Sequence, residues 1–194
     1  FMFAPMHHSA MKYAIGPRKE MAVRTLFNLL GPLTNPASAP NLLLGVYSLE
    51  WVRPLAEVLR KLGSHHVMVV HAEDGLDEIS IAAPTFVAEL KAGEITEYSI
   101  QPEDFGLKRQ SLDSIRVENA NESLAMLKTV LENQAGTARD IVALNAGAAI
   151  YVAGLADSHQ AGINKALEVI ASGKADEKLA DLIAQTKNEI FADE

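Results

Sequence analysis

Apolar residues in the first half of the chain occur both as short continuous runs and as a helical stripe. Asn41–Tyr47 and His66–Val70 are continuous runs, which predict buried strands. The stripe between them, in residues 50–62, consists of Val52, Leu55, Val58, Leu59 and Leu62. A strand–helix–strand unit of this length predicts that the two strands are parallel. Residues 79–90 and 94–100 predict two further strands, separated by a Lys-Ala-Gly turn.

From Asn119 onward the pattern is helical. Asn119, followed by Glu122 three residues later, resembles a capping box and predicts a helix start. Thr137–Gly154 is apolar on nearly every side, which predicts a buried helix. Another helix is predicted to begin at Ser158 and end at Gly173, and an amphipathic one to span Glu177–Phe191.

These elements predict a single α/β domain over residues 1–194, with a largely parallel central sheet flanked by helices and an all-helical C-terminal third. The chain has 194 residues and a formal charge of −8, which argues against a nucleic-acid binder because such a protein needs a basic face. No apolar run approaches a membrane span, and no signal peptide is evident. The chain has no cysteine, which fits a cytoplasmic location.

An amphipathic helix is predicted to start at Pro17 and to end at Gly31-Pro32. Arg18 lies at the edge of its apolar face in the first turn, where a cation opposes the helix dipole. Two interpretations stay open for Arg18: a group that binds an anion with an apolar body, or a solvated arginine. Arg24 lies on the polar face, which favours the solvated interpretation for that residue.

An acidic loop, residues 73–78, follows the second buried strand. It holds four carboxylates, those of Glu73, Asp74, Asp77 and Glu78. Ligands of open parallel sheets bind beyond the carboxyl ends of strands, and oxygen-only ligands suit Mg²⁺. The alternative is a solvated acidic turn.

Three segments resemble the anthranilate phosphoribosyltransferase family. The first comprises Phe-x-Phe-Ala-Pro-x-x-His at 1–8 and Asn-Leu-Leu-Gly-Pro-Leu-Thr-Asn-Pro at 28–36; the others are Asp74–Ile79 and Asn145–Gly154. The resemblance implies a nucleoside phosphorylase- and phosphoribosyltransferase-like fold. It also implies that the chain is a fragment of a larger two-domain enzyme, without the family's N-terminal helical domain and its glycine-rich phosphate-binding loop.

The resemblance further implies transfer of a phosphoribosyl group from phosphoribosyl pyrophosphate to anthranilate, in tryptophan biosynthesis. The residues implied to hold Mg²⁺ are Asp77 and Glu78. The residues implied to line the anthranilate pocket are Pro5, His8, Met11, Arg18 and Pro32. No covalent nucleophile is implied, so positioning and electrostatics supply the catalysis. The implied partners are these two substrates, with neither nucleic acid nor membrane, and the full-length protein is expected to be a homodimer.

Two alternatives share the fold. One is a pyrimidine nucleoside phosphorylase-like enzyme, which also acts at a ribose C1, and the other is a nucleic-acid-binding relative without enzymatic activity. The Gly-Pro-Leu-Thr-Asn-Pro segment at 31–36 favours anthranilate over a pyrimidine, and the acidic charge disfavours the nucleic-acid binder. Residues 1–194 alone are expected to be catalytically inert.

Overall fold

The structure is a computed structural model that describes Gly16, Glu20 and residues 27–35 and 37–190. The chain divides into two compact units, Phe1–Ala39 and Pro40–Glu194. The single α/β domain expected over residues 1–194 stays a prediction. Within the described residues, no helix is long and apolar enough to span a bilayer.

In the first unit, helix α1 spans Phe27–Leu33 and contains Pro32. The prediction that this helix ends at Gly31-Pro32 is therefore wrong, because the helix continues to Leu33. Thr34 terminates it: its amide donates to the carbonyl of Leu30 at 3.1 Å, and its hydroxyl donates to the same oxygen at 3.0 Å. A proline so near the helix end removes only one backbone donor, and Thr34 satisfies carbonyls that the last turn leaves open.

The second unit is built on a mixed sheet, which in the described residues has the strand order β1-β2-β3-β4. The strands are β1 (Asn41–Gly45), β2 (His66–Ala72), β3 (Thr85–Lys91) and β4 (Glu94–Ile100). The pairing of β1 with β2 is parallel, as predicted, whereas β2–β3 and β3–β4 are antiparallel. The α/β class is confirmed, but the sheet is mixed rather than largely parallel.

The antiparallel pairings follow from the connections between the strands. Ala92 and Gly93 join β3 to β4 with φ of 51° and 85°, a backbone conformation typical of a tight hairpin turn. The connection from β2 to β3 contains no crossover helix, which a parallel pair would require.

Helices dominate the rest of the second unit, and the helical C-terminal third is confirmed. They are α2 (Val52–Lys61), α3 (Ala120–Leu131), α4 (Thr137–Val152), α5 (His159–Ala171) and α6 (Lys174–Ile190), with short 3-10 turns at Leu49–Trp51, Pro102–Phe105 and Leu112–Ile115. Asn119 caps α3 by accepting hydrogen bonds from the amides of Asn121 and Glu122, both at 3.1 Å. The Glu122 carboxylate binds the amide of Glu118 at 2.9 Å, which completes a box displaced by one residue.

Helices cover both faces of the sheet. Met68 and Val70 of β2 belong to one buried cluster with Ile141 and Leu144 of α4. Because side chains alternate along a strand, the buried Val67 and Val69 face the opposite side, where α2 packs on β2 and β3. The result is a three-layer unit in which β2 and β3 are largely buried, whereas β4 is mostly exposed.

Helices α4 and α5 approach so closely that their backbones touch. A Cβ on Gly147 would lie 2.5 Å from Cγ1 and 2.6 Å from the amide nitrogen of Ile163. A Cβ on Gly162 would overlap the carbonyl oxygen of Gly147. Glycine at these two positions therefore sets the separation of the helices.

Candidate metal and phosphate site

The acidic loop reverses the chain at the carboxyl end of β2. The amide of Gly75 donates to the carbonyl of Ala72, and the amide of Ala72 donates to the carbonyl of Leu76, both at 2.9 Å. Gly75 has a φ of 90°, which favours glycine in this tight turn.

After this turn the chain crosses the end of β1. A Cβ on Gly45 would overlap the carbonyl oxygen of Asp77, so the two backbones are in direct contact. Since β1 and β2 are parallel, their carboxyl ends lie at one edge of the sheet, where open α/β sheets bind ligands. The structure thus brings Asp77 and Glu78 to the edge that the sequence predicts.

The side chains of Asp77 and Glu78 are both exposed, and neither makes a hydrogen bond or ion pair with another described residue. Partial loss of hydration raises the pKa of the Glu78 carboxyl, and the negative charge of Asp77 raises it further. Two adjacent carboxylates that pair with no cationic side chain in the described part of the chain are a suitable place for a cation.

The other two acidic residues of the loop have different surroundings. Asp74 accepts hydrogen bonds from the buried Ser80 hydroxyl at 2.6 Å and from the amide of Leu76 at 3.2 Å. Asp74 therefore ties the loop together. The Glu73 side chain is exposed and, like those of Asp77 and Glu78, is bonded to no other described residue; its amide donates to the carbonyl of Pro84. Hydrogen bonding therefore sets only Asp74 apart, and Asp77 and Glu78 are favoured over Glu73 because they are adjacent and lie where the chain crosses the end of β1.

A residue without a predicted role, Asn145 of α4, holds the backbone directly after Glu78. Its Oδ1 accepts from the amide of Ile79, and its Nδ2 donates to the carbonyl of Ile79, both at 2.9 Å. The sequence carries one signal for it, since Asn145 is a polar residue in an otherwise apolar stretch of helix. Its partner, 66 residues away, is not visible in any local pattern.

The two carboxylates of Asp77 and Glu78 suit Mg²⁺ better than they suit a metal ion whose ligands all come from the protein. Among the described residues, no group of three or more histidine, cysteine, aspartate or glutamate side chains could hold a metal ion. Mg²⁺ commonly uses one or two carboxylates and takes its remaining ligands from water and substrate phosphates. A structural zinc site would instead need four protein ligands.

The predicted anthranilate pocket falls largely outside the described residues. The structure does not describe four of its predicted residues, so their roles stay predictions: Pro5, His8, Met11 and Arg18. Pro32 is described and exposed near the end of α1.

A second polar cluster surrounds Glu89, whose side chain is buried. Its carboxylate accepts hydrogen bonds from His66 Nε2 at 2.8 Å, Tyr98 OH at 2.7 Å and Tyr151 OH at 2.8 Å. Burial raises the pKa of Glu89, but these bonds outweigh it and hold the pKa below its ordinary value. His66 begins β2, so the cluster lies at the opposite end of that strand from the acidic loop.

The sequence profile described as "Glycosyl transferase family, a/b domain" matches residues 1–176. The chain is 64% identical over 189 residues to an anthranilate phosphoribosyltransferase of Marinomonas sp. and 66% identical over 186 residues to one of Thioalkalivibrio sulfidiphilus. Each match covers 96% of this chain and 55% of the relative. The chain therefore spans about half the length of the curated relatives it matches.

Solved structures give the same similarity. The anthranilate phosphoribosyltransferase of Thermus thermophilus superposes with a TM-score of 0.82 at 42% identity, covering 91% of this chain and 52% of that one. The Saccharomyces cerevisiae enzyme in complex with PRPP and Mg superposes with a TM-score of 0.82 at 27% identity, covering 93% and 52%. The same yeast enzyme in complex with 4-fluoroanthranilate gives a TM-score of 0.83 at 28% identity, covering 93% and 53%.

Proposed function

Because the chain belongs to the glycosyl transferase family through its a/b domain, we propose that it is part of an enzyme that transfers the phosphoribosyl group of phosphoribosyl pyrophosphate to anthranilate. The observation that carries the proposal is the Asp77-Glu78 pair at the carboxyl edge of β1 and β2, with both carboxylates unbonded among the described residues. The names of the similar proteins, and the PRPP and Mg in the yeast complex, support it.

In the proposed reaction, the bond between ribose C1 and pyrophosphate breaks, a bond from C1 to the amino nitrogen of anthranilate forms, and that nitrogen releases one proton to solvent. Negative charge develops on the leaving pyrophosphate while the sugar becomes cationic. Asp77 and Glu78 would hold Mg²⁺, which supplies positive charge against pyrophosphate when bound. No residue has to form a covalent bond to the sugar, because positioning of the amine and electrostatic stabilisation supply the rate.

The acceptor side of the proposal rests on the resemblance. Arg18 would bind the carboxylate of anthranilate through its guanidinium, while Pro5, His8 and Met11 would contact the ring. Pro32 would close the pocket against the same ring.

The proposal also includes a larger two-domain enzyme of which this chain is the α/β portion, a homodimer in solution and a cytoplasmic location. Light scattering during size-exclusion chromatography of the full-length protein should give twice the mass of one chain.

Residues 1–194 alone should leave anthranilate fluorescence unchanged in the presence of phosphoribosyl pyrophosphate and Mg²⁺. Turnover by residues 1–194 would contradict this part of the proposal.

Neutralising the carboxylates one at a time tests the proposed metal ligands. In the full-length protein, Asp77→Asn and Glu78→Gln should lower turnover and raise the Mg²⁺ concentration needed for half-maximal activity. Glu73→Gln is the matched control, because it removes one negative charge from the same loop without touching the pair. Equal effects of all three substitutions would mean that the loop acts through its total charge.

A thermal-shift comparison distinguishes the proposed substrate from those of the two alternatives. Anthranilate should raise the melting temperature of the full-length protein, whereas thymidine and single-stranded DNA should not. Stabilisation by thymidine alone would favour the nucleoside phosphorylase-like enzyme.

A further inference from the structure

The Asn145 side chain pairs with both backbone groups of a single residue, Ile79. The acceptor Oδ1 faces the amide of Ile79, and the donor Nδ2 faces its carbonyl, so only one orientation of the carboxamide satisfies both. Nδ2 also donates to the carbonyl of Ile141 at 3.0 Å, which ties the carboxamide to its own helix. These three bonds leave the side chain of Asn145 little freedom to move.

The Asn145–Ile79 pair fixes the backbone immediately after Glu78. The Ile79 side chain is itself buried, with 2% of its surface exposed, so this residue is anchored through its backbone and through its side chain. Within the pair, the carbonyl of the peptide bond that joins Asp77 to Glu78 rests against Gly45. The backbone is therefore held at that peptide bond and again directly after Glu78, while the two carboxylates are bonded to no other described residue.

We infer that Asn145 is a positioning residue for metal binding: it holds Ile79 so that Asp77 and Glu78 present both carboxylates at the edge of the sheet. The inference rests on the proposed function, since it assigns Mg²⁺ and pyrophosphate to this pair. Its physical basis is that a ligand preorganised by its surroundings binds without the cost of ordering the loop. The helix that carries Asn145 is suited to this task, because its contact with α5 at Gly147 fixes it in the unit.

The test is Asn145→Ala in the full-length protein, with Mg²⁺ binding measured calorimetrically in the presence of inorganic pyrophosphate. Loss of a residue that orients metal ligands should weaken Mg²⁺ binding by about tenfold to a hundredfold. The KM for anthranilate should stay unchanged, because Asn145 is not among the residues proposed for that pocket. Amide hydrogen exchange at Ile79 should accelerate, because its amide loses the hydrogen bond to Asn145. This measurement requires neither metal nor turnover.

Val152→Ala is the matched control for a loss of stability. Val152 is buried in the same helix, seven residues after Asn145, and contributes to the same core cluster. This variant should lower the melting temperature and leave Mg²⁺ binding unchanged. Asn145→Leu provides a second variant if Asn145→Ala does not fold: it keeps the approximate size of the side chain, removes both hydrogen bonds to Ile79 and should also weaken Mg²⁺ binding.

The outcomes separate this inference from the function it rests on. If the unsubstituted protein binds no Mg²⁺ with pyrophosphate, the proposed metal site itself is wrong and the role of Asn145 is overturned with it. If the unsubstituted protein binds and Asn145→Ala binds equally well, only the positioning role is overturned. The same holds if Val152→Ala weakens binding as much as Asn145→Ala.

Discussion

Replacing Glu89 with glutamine should destabilise the protein at neutral pH, because it removes a buried charge that accepts three hydrogen bonds. The donors are His66, Tyr98 and Tyr151, at 2.7 to 2.8 Å. A hydrogen bond to a charged group contributes about 1 kcal/mol more than a neutral one, which gives at most about 3 kcal/mol for the three. Tyr98 is 36% exposed, so water replaces part of its bond, and we expect about 2 kcal/mol. For a unit of this size, that corresponds to a decrease of about 4–8 °C in melting temperature.

The pH dependence identifies the charge as the cause. Because the folded state lowers the pKa of Glu89 below its ordinary value of 4.5, the ionised carboxylate stabilises the protein above that pH. The contribution is lost as the pH falls through the lower pKa of the folded state. Melting temperatures of the two proteins, measured by circular dichroism, should therefore differ most near neutral pH and converge in acid.

The matched control is Glu97→Gln. Glu97 also lies in the sheet and forms a 2.6 Å ion pair with Arg53, but both side chains are 50% exposed. An exposed pair contributes at most about 1 kcal/mol. If Glu89→Gln lowers the melting temperature by the same amount at neutral and at strongly acidic pH, the ionised carboxylate is not what stabilises the cluster.

Three other substitutions test separate parts of the molecule. Gly147→Ala should destabilise the protein by about 1–3 kcal/mol in urea unfolding, because the new methyl group meets the backbone of Ile163; a gain in stability would contradict the close helix contact. Asn119→Ala should cost about 1 kcal/mol in the same measurement through loss of the α3 cap, and an unchanged midpoint would mean that the cap contributes nothing. If the proposed function holds, Arg18→Ala in the full-length protein should raise the KM for anthranilate at least about tenfold, through loss of a contact that contributes about 1.5–3 kcal/mol, whereas Arg24→Ala should not; the reverse result would refute the helical-face assignment.

Features encoded by neighbouring residues could be predicted from the sequence. The parallel β1–β2 pair follows from two apolar runs joined by a helix, and the start of α3 follows from Asn119. The strand expected over 79–90 is shorter, since β3 begins at Thr85. Ile79 and Ile81 are buried as a strand would require, but the backbone of Ile79 pairs with the Asn145 side chain instead of a neighbouring strand. Apolar patterning reports burial and does not identify the hydrogen-bonding partner.

In the candidate site, too, local features could be predicted from the sequence and long-range contacts could not. Asp77 and Glu78 are adjacent acidic residues in a loop after a strand, so their location could be predicted from local sequence. Gly45 and Asn145 could not be assigned roles, because each meets the loop only after the chain has folded. A glycine at a strand end and an asparagine in an apolar helix have many possible explanations until their partners are known.

The terminal strand β4 also bears on how the protein behaves at high concentration. Among the described residues it pairs only with β3, and it carries Glu94 and Glu97 on opposite faces. A second molecule that added its own β4 along this edge would bring these negative charges together on both faces of the joined sheet. Repulsion between like charges thus opposes strand-to-strand aggregation along this edge.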